Sequence, residues 1–301
     1  MPSFSSLVLL AILPLVARAA PHSTTRTTYT LKDHYTGKDF LDWDFFSASD
    51  PTHGNVNFLT KSEATSKGLA YLKAGDNRDS IRISSPKSYS SGLFIADIWS
   101  MPHGPTVWPA YWSVGPDWPD NGEIDIIEGV GDSSTNQMTL HTSSGCSLAT
   151  SAASDFTGKH TSTTNCASSN GNNNGCGVTD FAPNVYGHEF NMVAGGVYAH
   201  VLADSGISIW HFARDAIPAD ITEQKPNPAG WGKPAAFFSS SACDISQHFK
   251  DHVLTFDTTL CGDWAGAAFP GGPSACAAAV ADPSNFALAK WQLNYVSVYE
   301  S

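Results

Sequence analysis

The sequence has few charged side chains and no cluster of basic ones. Asp, Glu, Lys and Arg make up 15% of its 301 residues, whereas an average soluble domain has about 25%. The formal net charge is −12. Because no run of Lys or Arg provides the positive surface that nucleic acids bind, we expect no nucleic acid partner.

The sequence also lacks an apolar run long enough to cross a membrane. The longest run, 7–16 (LVLLAILPLV), is about half the length that a transmembrane helix needs. It is followed by Ala17-Arg-Ala-Ala20, whose small residues fit a signal-peptidase site. We therefore expect residues 1–19 to be a secretory signal peptide, with cleavage after Ala19 or Ala20. The mature chain would be secreted and extracellular, with no membrane partner.

The six cysteines occur in no C-x-x-C pair and next to no paired histidines at ligand spacing. A zinc site is therefore not expected, and no metal ligands are assigned. An even number of cysteines behind a signal peptide indicates up to three disulfides. Proximity favours Cys261–Cys276, and two further cysteines would tie down the polar loop 161–177. The sequence leaves open the pairing of the other four: Cys146, Cys166, Cys176 and Cys243.

No stretch of the mature chain shows an apolar period of 3.6 residues over three turns, which disfavours a helical bundle. Short strand-like runs recur instead between clusters of Gly, Asn, Asp and Ser. We expect an all-β sandwich or barrel, and residues 20–301 contain no linker or repeat that would divide them. The predicted strand runs are 69–73, 80–84, 92–99, 197–202, 206–211, 252–256 and 291–299.

Three carboxylates lie close together in one of these apolar stretches. Side chains alternate along a strand, so Glu123 and Asp125 share a face, whereas Glu128 should point to the other face. The interleaved isoleucines must pack into a core, which favours a cleft over a solvated edge for the acids. A β-bulge after Asp125, with Ile126 or Ile127 as the extra residue, would return Glu128 to the cleft. Paired carboxylates of this kind are typical of glycoside hydrolysis.

Aromatic residues surround the acids in the sequence. Trp and Tyr rings stack on the apolar faces of sugar rings, and each offers one polar group. Trp118 and Trp264 lie in predicted loops and are favoured as sugar-binding residues. Trp108 and Trp112 are an even number of positions apart, so they would share one strand face. We expect Trp99, and one of Trp108 or Trp112, to be a core residue.

Four segments together resemble the fungal laminarinase-like branch of glycoside hydrolase family 16. The run Glu123-Ile-Asp-Ile-Ile-Glu128 resembles the family signature E-[ILV]-D-x-x-E in its bulged form. The other three segments are Trp108-Pro-Ala-Tyr-Trp112, Thr139-Leu-His-Thr142 and Cys261-Gly-Asp-Trp264. The resemblance implies a β-jelly-roll sandwich of two antiparallel sheets with a concave substrate cleft. It also implies an endo-β-1,3(4)-glucanase that acts on laminarin-type and lichenan-type glucans with retention at the anomeric carbon.

The resemblance also implies roles for individual residues. Glu123 matches the nucleophile, Glu128 the general acid/base and Asp125 the carboxylate that assists the nucleophile. Nearby negative charge would raise the pKa of Glu128, and that pKa would fall once Glu123 is esterified. His141 matches a histidine near the acids, and we assign it a supporting role.

Substrate binding is assigned to the four cleft tryptophans and to Arg82, which lies in an alternating strand and could face the cleft. The expected partner is a β-glucan polysaccharide, and the chain is expected to be a monomer. No cofactor is expected; the family allows a structural calcium ion, but no compact ligand cluster is evident. The sequence leaves two alternatives open: a transglycosylase of the same fold that acts on cell-wall β-glucan, and a non-catalytic glucan-binding jelly roll. The substrate-binding residues are Trp108, Trp112, Trp118, Trp264 and Arg82.

Overall fold

The computed structural model describes residues 27–68, 78–169 and 171–301, and its regular secondary structure is mostly β-strand. The predicted signal peptide, its cleavage sites and the strand-like run 69–73 lie outside the described residues. The predicted strand 80–84 is divided into two, because its halves pair with different strands. The strands are β1 (Thr30–Thr36), β2 (Asp44–Phe45), β3 (Val56–Phe58), β4 (Arg78–Ser80), β5 (Arg82–Ser84), β6 (Gly92–Ser100), β7 (Val107–Val114), β8 (Glu123–Glu128), β9 (Asn136–His141), β10 (Lys159–His160), β11 (Cys176–Asp180), β12 (Gly196–Ala203), β13 (Gly206–Ala213), β14 (Ala236–Ser239), β15 (Val253–Leu260) and β16 (Gln292–Glu300).

The helices of the described residues are short, as the missing 3.6-residue period predicts. The longest α-helix spans 8 residues and follows Cys261 in the chain. Within the part of the chain that the structure describes, no helix combines the length and the apolar character needed to cross a membrane. The α-helices are α1 (Lys61–Ser66), α2 (Gly187–Met192), α3 (Ala219–Thr222), α4 (Ile245–His248) and α5 (Gly272–Ala279).

Two antiparallel sheets pack face to face. The first has the strand order β1-β16-β6-β12-β13-β14, and the second has the order β10-β11-β9-β8-β7-β15-β5-β2. Alternate residues of both sheets form one core between them, including Phe94 and Ile98 of the first sheet and Tyr111 and Ile124 of the second. The all-β sandwich predicted from the sequence is confirmed. The opposite face of the eight-stranded sheet remains available for a cleft.

Three disulfides reinforce the loops around this sandwich. Cys261–Cys276 is confirmed, and it joins the end of β15 to α5. Cys166–Cys176 closes the polar loop that was expected to need it, and Cys146–Cys243 links segments 97 residues apart. These pairings settle the connectivity that the sequence left open.

A buried histidine in the core makes stability depend on pH. His200 is 1% exposed and stacks on Phe94 at 4.5 Å between ring centroids. Burial, followed by the charge on His252, lowers the pKa of His200 to about 3. The unfolded chain binds a proton at His200 below about pH 6.5, and the folded chain does not, so acid favours unfolding.

We expect His200→Phe to remove this contribution. Between about pH 7 and pH 5 the wild-type free energy of unfolding should fall by about 2 kcal/mol more than that of the variant. Urea unfolding at both pH values measures the difference. Identical pH dependence of the two proteins would show that His200 does not titrate on unfolding.

Candidate active site

The bulge predicted in the acidic strand is present, and Ile126 is its extra residue. Across the β7–β8 ladder, Trp112 pairs with Asp125 and Tyr111 pairs with Ile127, so Ile126 has no opposite residue. Ile126 and Ile127 are both fully buried in the core between the sheets. Two consecutive residues therefore point inward, and the parity of the strand is reset before Glu128.

All three acids consequently lie on the outer face of the eight-stranded sheet. Residues paired across neighbouring strands point to the same side. Glu123 pairs with Val114 on β7 and with His141 on β9, and Glu128 pairs with Ala110. The two glutamates therefore stand four residues apart along β7, a rise of roughly 13 Å at the backbone.

Each glutamate accepts a hydrogen bond from an indole. Trp118 Nε1 donates to Glu123 Oε2 at 2.6 Å, and Trp108 Nε1 donates to Glu128 Oε1 at 2.9 Å. Trp118 belongs to the β7–β8 connection and is 39% exposed, so its ring can also contact a ligand. The sequence indicated sugar-stacking roles for these rings, whereas the indole N–H groups also orient the two carboxylates.

The environment of Glu128 favours its protonated form. Burial is the largest cause that raises its pKa well above the ordinary range, and the charge of Asp125 is the next. His141 and the hydrogen bond from Trp108 act in the opposite direction. The charge of Glu123 also raises the pKa of Glu128, but less than burial and the charge of Asp125 do. The sequence interpretation identified the direction, but it ascribed to nearby charge alone a shift that depends chiefly on desolvation.

Asp125 lies between the two glutamates and is 2% exposed. Burial raises its pKa well above the usual range, and the adjacent Glu123 carboxylate raises it further. A protonated Asp125 can donate a hydrogen bond to Glu123. His141 Nε2 lies 3.3 Å from Asp125 Oδ2, and His141 Nδ1 lies 2.9 Å from Ser168 Oγ. The histidine thus contacts the middle acid and faces the same side of the sheet as Glu123.

The remaining predicted binding residues lie on the same face. Trp264 packs edge-on against Trp108, with 5.7 Å between ring centroids. Trp112 is 8% exposed, and the Arg82 guanidinium carbon lies 4.6 Å from its ring centroid. Arg82 also covers the ring of Phe46, so it is a stacked cation in the cleft wall and not a surface ion pair.

The core assignment of Trp99 is wrong. Trp99 is 49% exposed. It lies on the outer side of β6, because Ile98 next to it points into the core. Its ring lies 5.8 Å from the Arg214 guanidinium carbon. Of Trp108 and Trp112, Trp112 is the buried one, and it is buried on the cleft face, where it pairs with Asp125.

Sequence reasoning missed a fourth carboxylate in the cleft. Asp257 pairs with Ala110 on one side and with Arg82 on the other, in the same row as Glu128. Burial raises the pKa of Asp257 to about 7, and the Arg82 charge opposes this. The alternation of β15 could have placed Asp257 opposite the core residue Phe256. It could not have shown which strands lie beside it.

Within residues 27–68, 78–169 and 171–301, no group of three or more His, Cys, Asp or Glu side chains could hold a metal ion.

Replacing Trp118 with Phe should separate the indole hydrogen bond from ring stacking. Phe keeps an aromatic ring but cannot donate to Glu123, and a hydrogen bond to a charged group contributes about 1.5–3 kcal/mol. We expect kcat/KM for laminarin to fall roughly 10-fold or more. The matched control is Trp99→Phe on the other sheet, which should leave kcat/KM unchanged. Equal effects of the two substitutions would contradict a specific contact with Glu123.

Comparison with known proteins identifies the family. A family model described as "XgeA-like, catalytic GH16 domain" matches residues 43–299. The chain belongs to glycoside hydrolase family 16. The resemblance inferred from the four sequence segments is thereby confirmed.

Individual relatives cover most of the chain. An endo-1,3(4)-beta-glucanase of Arthroderma benhamiae is 40% identical over 300 residues, which is 91% of this chain and 65% of that relative. A probable glycosidase of Schizosaccharomyces pombe is 39% identical, over 91% of this chain and 70% of its own length. The chain thus spans about two thirds of the length of these two relatives.

Solved structures show the same fold. Laminarinase 16A from Phanerochaete chrysosporium superposes with a TM-score of 0.82 at 38% identity, over 91% of this chain and 100% of that one. An elongating family 16 beta-1,3-glucosyltransferase superposes with a TM-score of 0.83 at 39% identity, with the same coverage. The jelly-roll fold expected from the resemblance is confirmed.

Proposed function

We propose that the chain is an endo-β-1,3(4)-glucanase that hydrolyses β-1,3 and mixed β-1,3/1,4 glucans with retention. The observation that carries the proposal is the Ile126 bulge, which brings Glu123, Asp125 and Glu128 onto one cleft face. The 40% identity to the Arthroderma endo-1,3(4)-beta-glucanase supports this activity. Laminarinase 16A, which was solved with two β-glucans in its donor and acceptor sites, supports a glucan substrate.

The geometry suits a double displacement. Ionised Glu123 attacks the anomeric carbon while protonated Glu128 gives its proton to the departing glycosidic oxygen. The carbon–oxygen bond to the leaving sugar breaks as the bond to Glu123 forms. Glu128, now ionised, takes a proton from water, which attacks the same carbon and releases Glu123. Two inversions give net retention.

The neighbouring residues support both steps. Burial keeps Glu128 protonated before the first step, as its raised pKa requires. Asp125 hydrogen-bonds to Glu123 and can orient it, and His141 Nε2 lies 3.3 Å from the Asp125 carboxylate. The indole of Trp118 stabilises the ionised nucleophile. Trp108, Trp112, Trp264 and Arg82 form aromatic and cationic walls on which sugar rings can stack.

A substrate panel tests this proposal. Laminarin, lichenan, barley β-glucan and carboxymethylcellulose should be compared by reducing-sugar release and product sizing. We expect cleavage of laminarin and of the mixed-linkage glucans into oligosaccharides, and no cleavage of carboxymethylcellulose. A chain that binds laminarin but releases no reducing sugar would be a non-catalytic glucan-binding jelly roll.

Glycosyl transfer is a second candidate activity, because one of the similar solved structures is an elongating glucosyltransferase. Transfer would pass the sugar from Glu123 to another sugar hydroxyl in place of water. Mass spectrometry of laminarihexaose digests separates the two outcomes. Products longer than the starting hexaose would mark transfer, whereas shorter products alone would mark hydrolysis.

The proposal includes a secreted monomer in which residues 1–19 are removed and residues 20–301 form one catalytic domain. The three disulfides suit an oxidising compartment. N-terminal sequencing of material secreted by an expression host should begin at Ala20 or Pro21. Intact Met1 on secreted protein would refute the signal peptide.

A further inference from the structure

The Ile126 bulge leaves part of β8 without a strand partner on one side. The β8–β9 ladder pairs residues 123–125 with residues 139–141 and ends where the bulge begins. Beyond that point, the peptide groups of β8 that face β9 need other hydrogen-bond partners. Buried backbone groups rarely lack one, because an unpaired group costs about 1–3 kcal/mol.

The side chain of Asn136 provides both partners. Its Nδ2 donates to the Ile126 carbonyl oxygen at 2.8 Å, and its Oδ1 accepts from the Glu128 amide at 3.0 Å. The two atoms of the carboxamide thus replace a backbone C=O and N–H of β9 across the bulge. Asn136 is fully buried.

The backbone of Asn136 is held independently. It is the first residue of β9 and pairs with Asp180 of β11, on the far side of β9 from the acids. Pairing with β11 therefore holds the backbone of Asn136, while its carboxamide bridges from β9 to β8. No shorter polar side chain offers a donor and an acceptor at this spacing, and Gln would displace the amide by one methylene.

We infer that Asn136 is a positioning residue for Glu128: its carboxamide holds the bulge that turns Glu128 into the cleft. This inference rests on the proposed role of Glu128 as general acid. Without the bridge, the bulge can relax towards regular pairing. A regular strand would direct Glu128 away from Glu123, because one residue of slip exchanges the two faces.

The leaving group of the substrate distinguishes this role from a general loss of stability. Laminarin needs a proton from Glu128 for its sugar leaving group, whereas dinitrophenolate leaves without acid assistance. Misplacing a catalytic group by about 1 Å can cost roughly 100-fold. For Asn136→Ala we expect kcat/KM to fall roughly 100-fold on laminarin but less than about 3-fold on dinitrophenyl β-laminaribioside.

Asn191→Ala is the matched control. Asn191 also bridges backbone with both ends of its carboxamide, donating to the Met101 carbonyl and accepting from the Met101 amide, each at 2.9 Å. It lies in α2 and bridges to Met101 after β6 of the six-stranded sheet, whereas the acids lie on β8 of the eight-stranded sheet. We expect this variant to lose thermal stability comparably and to show equal kcat/KM changes, below about 3-fold, on both substrates.

Asn136→Asp provides the conservative variant and covers the case in which Asn136→Ala does not fold. Asp has nearly the same size and can still accept from the Glu128 amide, but it donates to Ile126 only in the fraction of molecules in which its carboxyl is protonated. We expect an intermediate loss on laminarin, with the same sparing of the dinitrophenyl substrate.

Equal losses on both substrates, in whichever Asn136 variant folds, would overturn the inference. The proposed function is tested separately by the wild-type chain in the same assay. A wild-type protein that hydrolyses neither substrate would refute the function itself, and a wild type that hydrolyses both leaves the two variants to decide the role of Asn136.

Discussion

Replacing Glu123 with Gln should reduce laminarin hydrolysis by at least about 10⁴-fold, because Gln cannot attack the anomeric carbon. Gln has nearly the same shape, and its side-chain oxygen can still accept from Trp118. Binding of laminarihexaose, measured by calorimetry, should therefore change by less than about 10-fold. Reducing-sugar release from laminarin measures the loss.

Glu189→Gln is the matched control for replacing one glutamate with glutamine. Glu189 is an exposed residue of α2, a helix outside the eight-stranded sheet, so Glu189→Gln should keep full activity. Thermal unfolding of both variants should lie close to that of the wild type. Hydrolysis at the wild-type rate by Glu123→Gln would refute the assignment of the nucleophile.

Replacing Glu128 with Ala should slow the hydrolysis of laminarin far more than the first step with an activated substrate. General acid catalysis contributes about 10²–10⁴-fold, so kcat/KM on laminarin should fall by that factor. An activated dinitrophenyl substrate should form the glycosyl-enzyme almost as fast as before. The removal of the base then slows the second step, and azide should restore turnover by attacking in place of water.

The azide product identifies the role of Glu128. Because Ala leaves space beside the intermediate, azide should yield a β-glycosyl azide, which nuclear magnetic resonance can distinguish from the α form. An α-glycosyl azide would indicate that Glu128 is the nucleophile. A variant unaffected by azide, and equally slow on both substrates, would contradict the acid/base assignment.

Much of the site follows from strand parity. Three acids interleaved with isoleucines can face one cleft only if one residue is extra, and Ile126 is that residue. The physical basis is strong because isoleucine burial and carboxylate solvation favour opposite faces. The sequence could not choose between Ile126 and Ile127, since both are apolar and only the partner strand distinguishes them.

Features that depend on neighbours across the sheet were not predicted. Asp257 approaches the acids through β7, which lies between β8 and β15 in space but not in sequence order. The sequence around Asn136 does not indicate its role, because the end of the β8–β9 pairing beside it is visible only in the structure. The prediction for Trp99 failed because the burial of its side chain depends on how far loops cover the outer face of the six-stranded sheet. Strand periodicity does not contain that information.

The causes of the pKa shifts could likewise be predicted only in part from the sequence. Clustered acids indicate that one carboxyl is held protonated, which agrees with the raised pKa values of Asp125 and Glu128. Desolvation is nevertheless the largest cause for both groups. It depends on side chains from several strands, and a single strand in the sequence cannot show how completely they exclude water.

Trapping of the covalent intermediate tests directly whether Glu123 is the nucleophile. A 2-fluoro-laminaribioside with an activated leaving group should inactivate the enzyme, because the fluorine slows hydrolysis of the glycosyl-enzyme. Mass spectrometry of the digested protein should place one fluorosugar on Glu123. A label on Glu128 or any other residue, or turnover that yields the inverted anomer without a label, would contradict a retaining mechanism with Glu123 as its nucleophile.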